Sequence, residues 1–188
     1  MGVSIDHLQN LYSGTDDPWG FKTSEYEQQK FAATRAALSR ERYQSAFEMG
    51  CGNGQLAGHL ADVCAQYTGM DAVAKALDAA RQAVPSATFL HGYYPCPLPA
   101  DDFDLLIFSE ILYFLDEDGL QALADDVSGN WLNAEVICVS YLGPSGNQLQ
   151  GGEAVGRFVA ALNETHTFQT ISRAPKYRID RGLPEGGK

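Results

Sequence analysis

The sequence predicts a three-layer α/β sandwich around a mainly parallel sheet of seven strands, closed by an antiparallel hairpin. After Tyr43, short apolar segments alternate with longer amphipathic ones, and strands that alternate with helices form parallel sheets with right-handed crossovers. The fourth apolar segment contains the unbroken run Leu105–Phe108, which is typical of a strand buried on both faces. The last two segments meet at Ala174 and Pro175 with no helix between them, so we expect them to pair as the hairpin.

The segment before the alternation is polar and aromatic, and it differs in character from the rest. Turn-forming residues at 13–18 precede a predicted helix from Ser24 to Leu38. Ser24 and Glu27 have the spacing of a capping box, in which the hydroxyl accepts from the third helical N–H and the carboxylate reaches back to the cap. We expect a single domain, with residues 1–44 as a helical lid on a core formed by residues 45–188.

The elements of the core follow one another in a regular order. The alanine-rich second helix stops at Pro85, because proline cannot continue a helix. The predicted helices are Gly54–Ala65, Ala72–Val84, Asp116–Val127 and Gly152–Leu162. The predicted strands are Ser45–Met49, Gln66–Met70, Thr88–His91, Phe103–Phe108, Ala134–Ser140, Phe168–Ser172 and Lys176–Asp180.

The composition excludes several classes of protein. A chain of 188 residues with 45% hydrophobic residues forms one ordinary core, and a formal net charge of −11 disfavours duplex nucleic acid and anionic membranes as partners. The four cysteines are scattered and no histidine stands at ligand spacing, so we predict reduced thiols and no metal site. With neither a signal-peptide pattern nor an apolar run of bilayer length, the predicted location is cytoplasmic.

The clearest functional signal is the glycine-rich loop from Glu48 to Gly54, between the first strand and the next helix. Glycines let a backbone turn tightly and approach a ligand, and the helix N-terminus offers unpaired N–H groups. Gln55 stands where a dinucleotide fingerprint has its third glycine, and this difference, together with Glu48, separates the two patterns. Asp71 ends the second strand, where a carboxylate can accept hydrogen bonds from both ribose hydroxyls.

From about Ala46 to the C-terminus, this pattern resembles the class I S-adenosylmethionine-dependent methyltransferases, which have a Rossmann-like fold. The resemblance implies that the glycine loop lies under the methionine part of the cofactor and that Asp71 binds its ribose. It also places Gly92, Tyr93 and Tyr94 near the adenine. Many members of that class have an aspartate at the position of Tyr93, so we expect a backbone N–H and a stacked tyrosine to replace it.

Motifs outside the loop narrow the resemblance to the nodulation protein S family, over nearly the whole chain. These motifs are Asp17–Gly20, Ser24–Lys30, Ser109–Leu115 and Tyr177–Asp180. The founding members methylate the free amine of a deacetylated chitin-like oligosaccharide. The resemblance therefore implies methyl transfer from S-adenosylmethionine to a small-molecule acceptor, with an amine nitrogen favoured, an amino sugar as an example, and S-adenosylhomocysteine as product.

The site residues expected on these grounds fall into two groups. The predicted catalytic residues are Glu110 and Tyr113. The predicted cofactor-binding residues are Trp19, Tyr26, Lys30, Glu48, Gly50, Cys51, Gly52, Asn53, Gly54, Asp71, Ala72, Tyr93, Tyr94 and Ser109.

Residues next to the strand ends carry the predicted chemistry. Ser109 and Glu110 follow the buried fourth strand at its carboxyl end, where ligands bind in open α/β sheets. We expect Glu110 to orient, attract or deprotonate the acceptor amine, or else to cap the next helix. Tyr113 lines the acceptor pocket or belongs to the core, and Tyr141 and Asn147 are expected on the opposite wall.

Two residues of the predicted lid each have two interpretations. Lys30 either reaches the cofactor carboxylate as a point charge or is a solvated lysine. Trp19 either shields the reacting methyl group from water or covers the sheet edge.

Two other functions remain as alternatives to catalysis of methyl transfer. One is a module that binds S-adenosylmethionine without catalysis. The other, less favoured, is an NAD-dependent oxidoreductase, which Gln55 and the lack of an acid for a hydride site argue against. The oligomeric state is open.

Overall fold

A mixed sheet of seven strands runs through the protein, whose structure is a computed structural model describing residues 2–186. Met1, Gly187 and Lys188, the ends of the predicted lid and core, lie outside the described residues. The strands are β1 (Tyr43–Met49), β2 (Cys64–Asp71), β3 (Thr88–His91), β4 (Leu105–Ser109), β5 (Glu135–Tyr141), β6 (His166–Arg173) and β7 (Tyr177–Pro184). The helices are α1 (Ile5–Leu11), α2 (Glu25–Ala36), α3 (Gln55–Leu60), α4 (Ala74–Ala83), α5 (Glu117–Asn130) and α6 (Gly151–Ala161), with 3₁₀ turns at Ala61–Val63 and Leu112–Phe114.

The sheet order is β3-β2-β1-β4-β5-β7-β6. The first five strands are parallel, whereas β7 is antiparallel to both β5 and β6. The predicted Rossmann-like sandwich with its terminal hairpin is therefore confirmed. The order reverses between β1 and β4, and ligands bind outside the carboxyl ends of strands at such a switch point.

Two apolar clusters fill the space on either side of the sheet. Strand β4 serves both, since Leu105 and Ile107 belong to one cluster and Leu106 and Phe108 to the other. All four side chains are fully buried, as the unbroken apolar run predicts. The two-sided burial makes β4 a rigid base for the residues that follow it.

The boundaries differ most from the predicted ones near the glycine loop, at the N-terminus and at the end of β7, which runs to Pro184 instead of Asp180. The predicted helix Gly54–Ala65 ends at Leu60, because the chain tightens into a 3₁₀ turn and β2 begins at Cys64. Helix α1 was not predicted. None of its residues is fully buried, and its apolar repeat of Ile5, Leu8 and Leu11 spans only seven residues, which is shorter than the window over which helical periodicity is read.

The capping box at α2 forms only in part. The Glu27 backbone N–H donates to Ser24 Oγ over 3.3 Å, as predicted. The returning bond is absent, because the Ser24 N–H donates to Gly20 O instead. The predicted second half of the box is therefore wrong, and the Glu27 carboxylate is available for another contact.

Residues 2–186 contain neither a membrane-spanning helix nor a cluster of three or more metal-ligating side chains. None of the helices in this range is long and apolar enough to cross a membrane. No group of three or more His, Cys, Asp or Glu side chains in this range is arranged to hold a metal ion. The cysteines at 51, 64, 96 and 138 are all free thiols.

Candidate active site

The glycine loop connects β1 to α3 at the carboxyl edge of the sheet. Gly50, Gly52 and Gly54 all have positive φ, the left-handed region that favours glycine. The N–H groups of Gly50 and Cys51 both donate to Met70 O of β2, over 2.7 and 3.1 Å. The loop is thus a tight backbone turn fixed to the neighbouring strand.

Asp71, at the end of β2, is hydrogen-bonded to that loop. Its Oδ2 accepts from the Gly52 N–H and its Oδ1 from the Val73 N–H, both over 2.9 Å. Burial raises the pKa of Asp71, although these backbone donors act in the opposite direction. Each carboxylate oxygen has a second lone pair, so the group can still accept from a ligand.

Glu48, two residues before the first glycine, is fully buried. The Tyr67 hydroxyl donates to Glu48 Oε2 over 2.8 Å. Burial raises the pKa of Glu48 to about 7, and the hydrogen bond from Tyr67 offsets this only in part. The carboxyl therefore changes its protonation state close to neutral pH.

This shift makes stability depend on pH. Between pH 4.5 and about 7 the folded protein binds the Glu48 proton more tightly than the unfolded chain does, so the contribution of Glu48 to the free energy of unfolding falls as the pH rises. In Glu48→Gln we expect this fall, about 3 kcal/mol, to disappear. Urea unfolding of both proteins across this range measures it. Parallel curves for wild type and variant would contradict the shift, and the exposed Glu41→Gln is the control.

The N-terminal residues 2–23, here called the strap, cross the strand ends and contact the glycine loop. Asn53 Nδ2 donates to Asp16 O over 3.2 Å, and Lys75 Nζ donates to Tyr12 O over 2.9 Å. Asn53 Oδ1 is buried and has no hydrogen-bond partner. The strap thus covers a loop that retains an unsatisfied acceptor.

The start of the strap is held by the loops after β3 and β4. The Val3 N–H donates to Phe114 O over 2.9 Å, and the Tyr93 hydroxyl donates to Val3 O over 2.6 Å. Tyr93 therefore fastens the strap through its side chain. The ring of the neighbouring Tyr94 lies in the core, and its hydroxyl donates to Asp126 of α5.

Trp19 lies on the outer side of the strap. It is 44% exposed, stacks on Phe21 with 5.5 Å between ring centroids, and meets Tyr12 edge-on. Tyr12, not Trp19, is the buried aromatic residue of this group, and its hydroxyl lies near Gly52. Sequence reasoning missed Tyr12, because an isolated tyrosine before a turn carries no periodic signal.

A small pocket lies between the glycine loop, α2 and the end of β4. Of the predicted site residues, its lining includes Lys30, Glu48, Gly50, Cys51, Gly52, Asn53, Ser109 and Glu110. Gly54 and Asp71 lie next to these residues, Gly54 as part of the glycine loop and Asp71 through its hydrogen bond from Gly52. Ala72, beside Asp71, accepts a hydrogen bond from His91 Nε2 at its carbonyl oxygen. Trp19, Tyr26, Tyr93 and Tyr94 are not part of the lining.

Lys30 is buried between two carboxylates. Its side chain is 2% exposed, and Nζ lies 2.6 Å from Glu27 Oε2 and 2.8 Å from Glu110 Oε2. The interpretation of Lys30 as a solvated lysine is therefore wrong. Lys30 also lies 5.5 Å from the centre of the Tyr26 ring, so α2 brings an ammonium group, a carboxylate and a ring to one place.

Glu110 turns from the end of β4 towards this lysine. Its φ of 57° is the single positive value among the non-glycine residues described, and its N–H donates to Val139 O over 2.7 Å. Asp116 caps α5, so the alternative in which Glu110 caps the next helix is wrong. Burial raises the pKa of Glu110, while Lys30 acts in the opposite direction.

Tyrosines surround these charges. Burial and the nearby Glu110 raise the pKa of Tyr26 to about 12, and the same causes raise the pKa of Tyr113. Tyr26 packs edge-on against Tyr177 of β7. The surroundings are thus aromatic, and their electrostatic potential is negative.

A second cavity of about 340 Å³ lies between the strap and the loops after β4 and β5. This volume is in the usual range for small-molecule sites. Tyr113 and Asn147 line it, and Asn147 Nδ2 is buried without a hydrogen-bond partner. Tyr141, predicted on the same wall, is absent from the lining and packs against Gly143. The other lining residues are Gly2, Val3, Ser4, His7, Phe114, Leu115, Gly146 and Gln148.

Comparison with known sequences gives consistent matches. The family model described as Nodulation protein S (NodS) matches residues 6–128. Nodulation protein S of Sinorhizobium fredii is 27% identical over 179 residues, which cover 87% of this chain and 78% of that protein. Nodulation protein S of Bradyrhizobium diazoefficiens is 30% identical over 105 residues, 53% of this chain and 50% of that protein.

Solved structures have the same fold. The N-methyltransferase NodS from Bradyrhizobium japonicum WM9, in complex with S-adenosyl-L-homocysteine, has a TM-score of 0.81 at 19% identity and covers 96% of this chain and 98% of its own. A putative methyltransferase from Pseudomonas syringae has a TM-score of 0.68 at 29% identity, covering 85% of this chain and 99% of its own.

Proposed function

Because the chain belongs to the nodulation protein S family, we propose that it is an S-adenosylmethionine-dependent methyltransferase that acts on the amine nitrogen of a small molecule. The single observation that carries the proposal is the glycine loop, bonded to Asp71, covered by the strap and adjoined by Lys30 and Glu110. This combination offers a nucleoside site and a charged polar site side by side. The NAD-dependent alternative is not favoured by a loop with Gln55 in place of the third glycine.

The residues of the loop fit the cofactor chemically. Asp71 has lone pairs free for ribose hydroxyls, and the buried Asn53 Oδ1 lacks a donor that an amino group would supply. The glycines leave the backbone open to close approach. When bound, the cofactor supplies a methyl group on a positively charged sulfur, which is reactive without further activation.

The protein then has to exclude water and place the acceptor. We assign the first task to the strap, since its contacts to Asn53 and Lys75 close the loop from solvent. The strap is part of the proposed lid, residues 1–44, whose last two residues already belong to β1, and residues 45–188 form the proposed core. We assign the second to Glu110 and Tyr113. Glu110 lines the loop pocket and Tyr113 lines the larger cavity, so the short segment between them joins the two.

The acceptor nitrogen must present a lone pair to the methyl group. Glu110 is placed to hold or remove the proton that occupies this lone pair in the ammonium form. Its Oε1 is buried and has no hydrogen-bond partner, while Oε2 is bonded to Lys30. An oriented carboxylate of this kind raises the effective concentration of the correctly placed amine. The acceptor that fits this proposal is a small polar amine such as an amino sugar.

Calorimetric titration with S-adenosylhomocysteine tests the cofactor assignment. We expect binding of one molecule per chain and no heat from NAD under the same conditions. Binding of NAD alone would contradict the proposal. Detection of a methylated product from glucosamine or another amine distinguishes the enzyme from a module that only binds the cofactor.

A further inference from the structure

Three charged side chains form one buried cluster, which we call the carboxylate–lysine cluster: Glu27, Lys30 and Glu110. The single ammonium lies within 3 Å of an oxygen from each carboxylate, at 2.6 and 2.8 Å. Two carboxylates and one ammonium leave one unit of negative charge. Charge is costly to bury unless it is paired, so the cluster is one cation short of neutrality.

The cluster also contains buried polar atoms without a hydrogen-bond partner. Glu110 Oε1 and the Tyr26 hydroxyl are buried and have no hydrogen-bond partner. Glu27 Oε2 touches Lys30 Nζ, but outside hydrogen-bond geometry. Buried acceptors without a donor are rare in folded proteins and usually mark a ligand or an ion. What the cluster lacks is therefore a donor that also carries positive charge.

A protonated amine has both properties. An R–NH₃⁺ group carries one positive charge and three N–H donors, so it can bond to Glu27 and Glu110 together, beside aromatic rings that favour cations. A hydroxyl is neutral and leaves the excess charge in place, and a carboxylate is repelled. The other titratable side chains that face the cluster are the tyrosines at 26, 113, 141 and 177.

Building on the proposed function, we infer that Glu27 is a second acceptor-binding residue, which together with Glu110 selects a protonated primary amine. Lys30 is a positioning residue that holds the two carboxylates side by side. After binding, the N–H bond nearest Glu110 breaks and an O–H bond forms at Oε1. R–NH₃⁺ and a carboxylate become R–NH₂ and a carboxylic acid, and the electron pair stays on nitrogen as the nucleophile.

Carbon-13 NMR of protein labelled at the glutamate δ-carbons tests the inference, with glucosamine as the probe and glucose as its neutral counterpart. The δ-carbon resonances of Glu27 and Glu110 are assigned by their loss in Glu27→Gln and Glu110→Gln. We expect glucosamine, but not glucose, to shift both of them. In Glu27→Gln the remaining pair is neutral, so glucosamine should bind about tenfold more weakly or worse, with unchanged S-adenosylhomocysteine affinity. The matched control is Glu25→Gln, on the exposed face of the same helix, which should bind glucosamine like the wild type.

The role of Lys30 has its own readout. In Lys30→Met the two carboxylates lose their shared cation, so one of them should take up a proton at neutral pH, seen as an upfield shift of its δ-carbon. If Lys30 were purely structural, both carboxylates of the folded variant would stay ionised and neither δ-carbon resonance would move upfield.

The titrations are run with and without S-adenosylhomocysteine, so that the two proposals fail separately. No S-adenosylhomocysteine binding contradicts the proposed function. No response of Glu27 and Glu110 to glucosamine, or an equal response to glucose, overturns the inference about the cluster.

Discussion

Replacing Asp71 with alanine is expected to weaken the binding of S-adenosylhomocysteine by about 3 kcal/mol. The carboxylate accepts the N–H groups of Gly52 and Val73, and hydrogen bonds to a charged group are the stronger kind, each worth about 1.5–3 kcal/mol. Without it, the Gly52 N–H loses its acceptor and the proposed ribose contacts disappear. The variant loses both the ligand contacts and the restraint that shapes the loop.

Calorimetry on wild type and Asp71→Ala measures this loss, alongside urea unfolding to show that the variant is folded. Asp78→Ala is the control, because Asp78 is an exposed aspartate of α4 that pairs with Arg81 over 3.0 Å, away from the glycine loop. We expect that variant to bind like the wild type. An Asp71→Ala protein with unchanged affinity would remove Asp71 from the cofactor site.

Replacing Gly54 with alanine is expected to lower the free energy of unfolding by about 3 kcal/mol. Gly54 has a φ of +77°, which costs an L-residue about 1–2 kcal/mol. A Cβ there would lie 2.9 Å from the Cα of Ala80 in α4, and a backbone atom cannot move aside as a flexible side chain can. Overpacking of this kind adds about 1–3 kcal/mol.

The control for that substitution is Gly156→Ala. Gly156 lies within α6, and a Cβ there would meet nothing within 4 Å. Because alanine is the better helix former, we expect this variant to be more stable than wild type by up to about 1 kcal/mol. Urea unfolding of the two variants therefore should give opposite signs. The same sign and size for both would contradict the close contact between α3 and α4.

The fold could be predicted because its strongest determinants are local in the chain. The apolar run of β4 is buried on both faces, and the loop glycines have the positive φ values that favour glycine. Strands β6 and β7 pair as a hairpin because no helix separates them in the sequence. Helix α1 was not predicted, because its apolar repeat spans only seven residues and its packing partners Val73 and Ala76 are distant in the chain. The contacts of the strap could not be predicted either, because they are made with residues that are distant in the chain.

Apart from Lys30 of α2, the predicted residues that line the loop pocket lie in the glycine loop or next to a strand end. Glu110 follows β4 and Asp71 ends β2, so topology alone brings them to one edge. Glu27 has the spacing of a helix cap and pairs with Lys30 on the same helix, but only the fold brings Glu110 to that lysine. Tyr93 and Tyr94 are adjacent in sequence, yet one reaches the strap and the other reaches α5.

The cavity of about 340 Å³ is built without a single strand residue, since its walls are the strap, the 3₁₀ turn after β4 and the loop after β5. Loops accept insertion and exchange far better than the strands they connect. This part of the proposed acceptor site, which adjoins Glu110 through the turn after β4, can therefore change in sequence without disturbing the sheet-borne part. Grafting these three segments from one relative to another is a direct route to a new acceptor preference on an unchanged donor site.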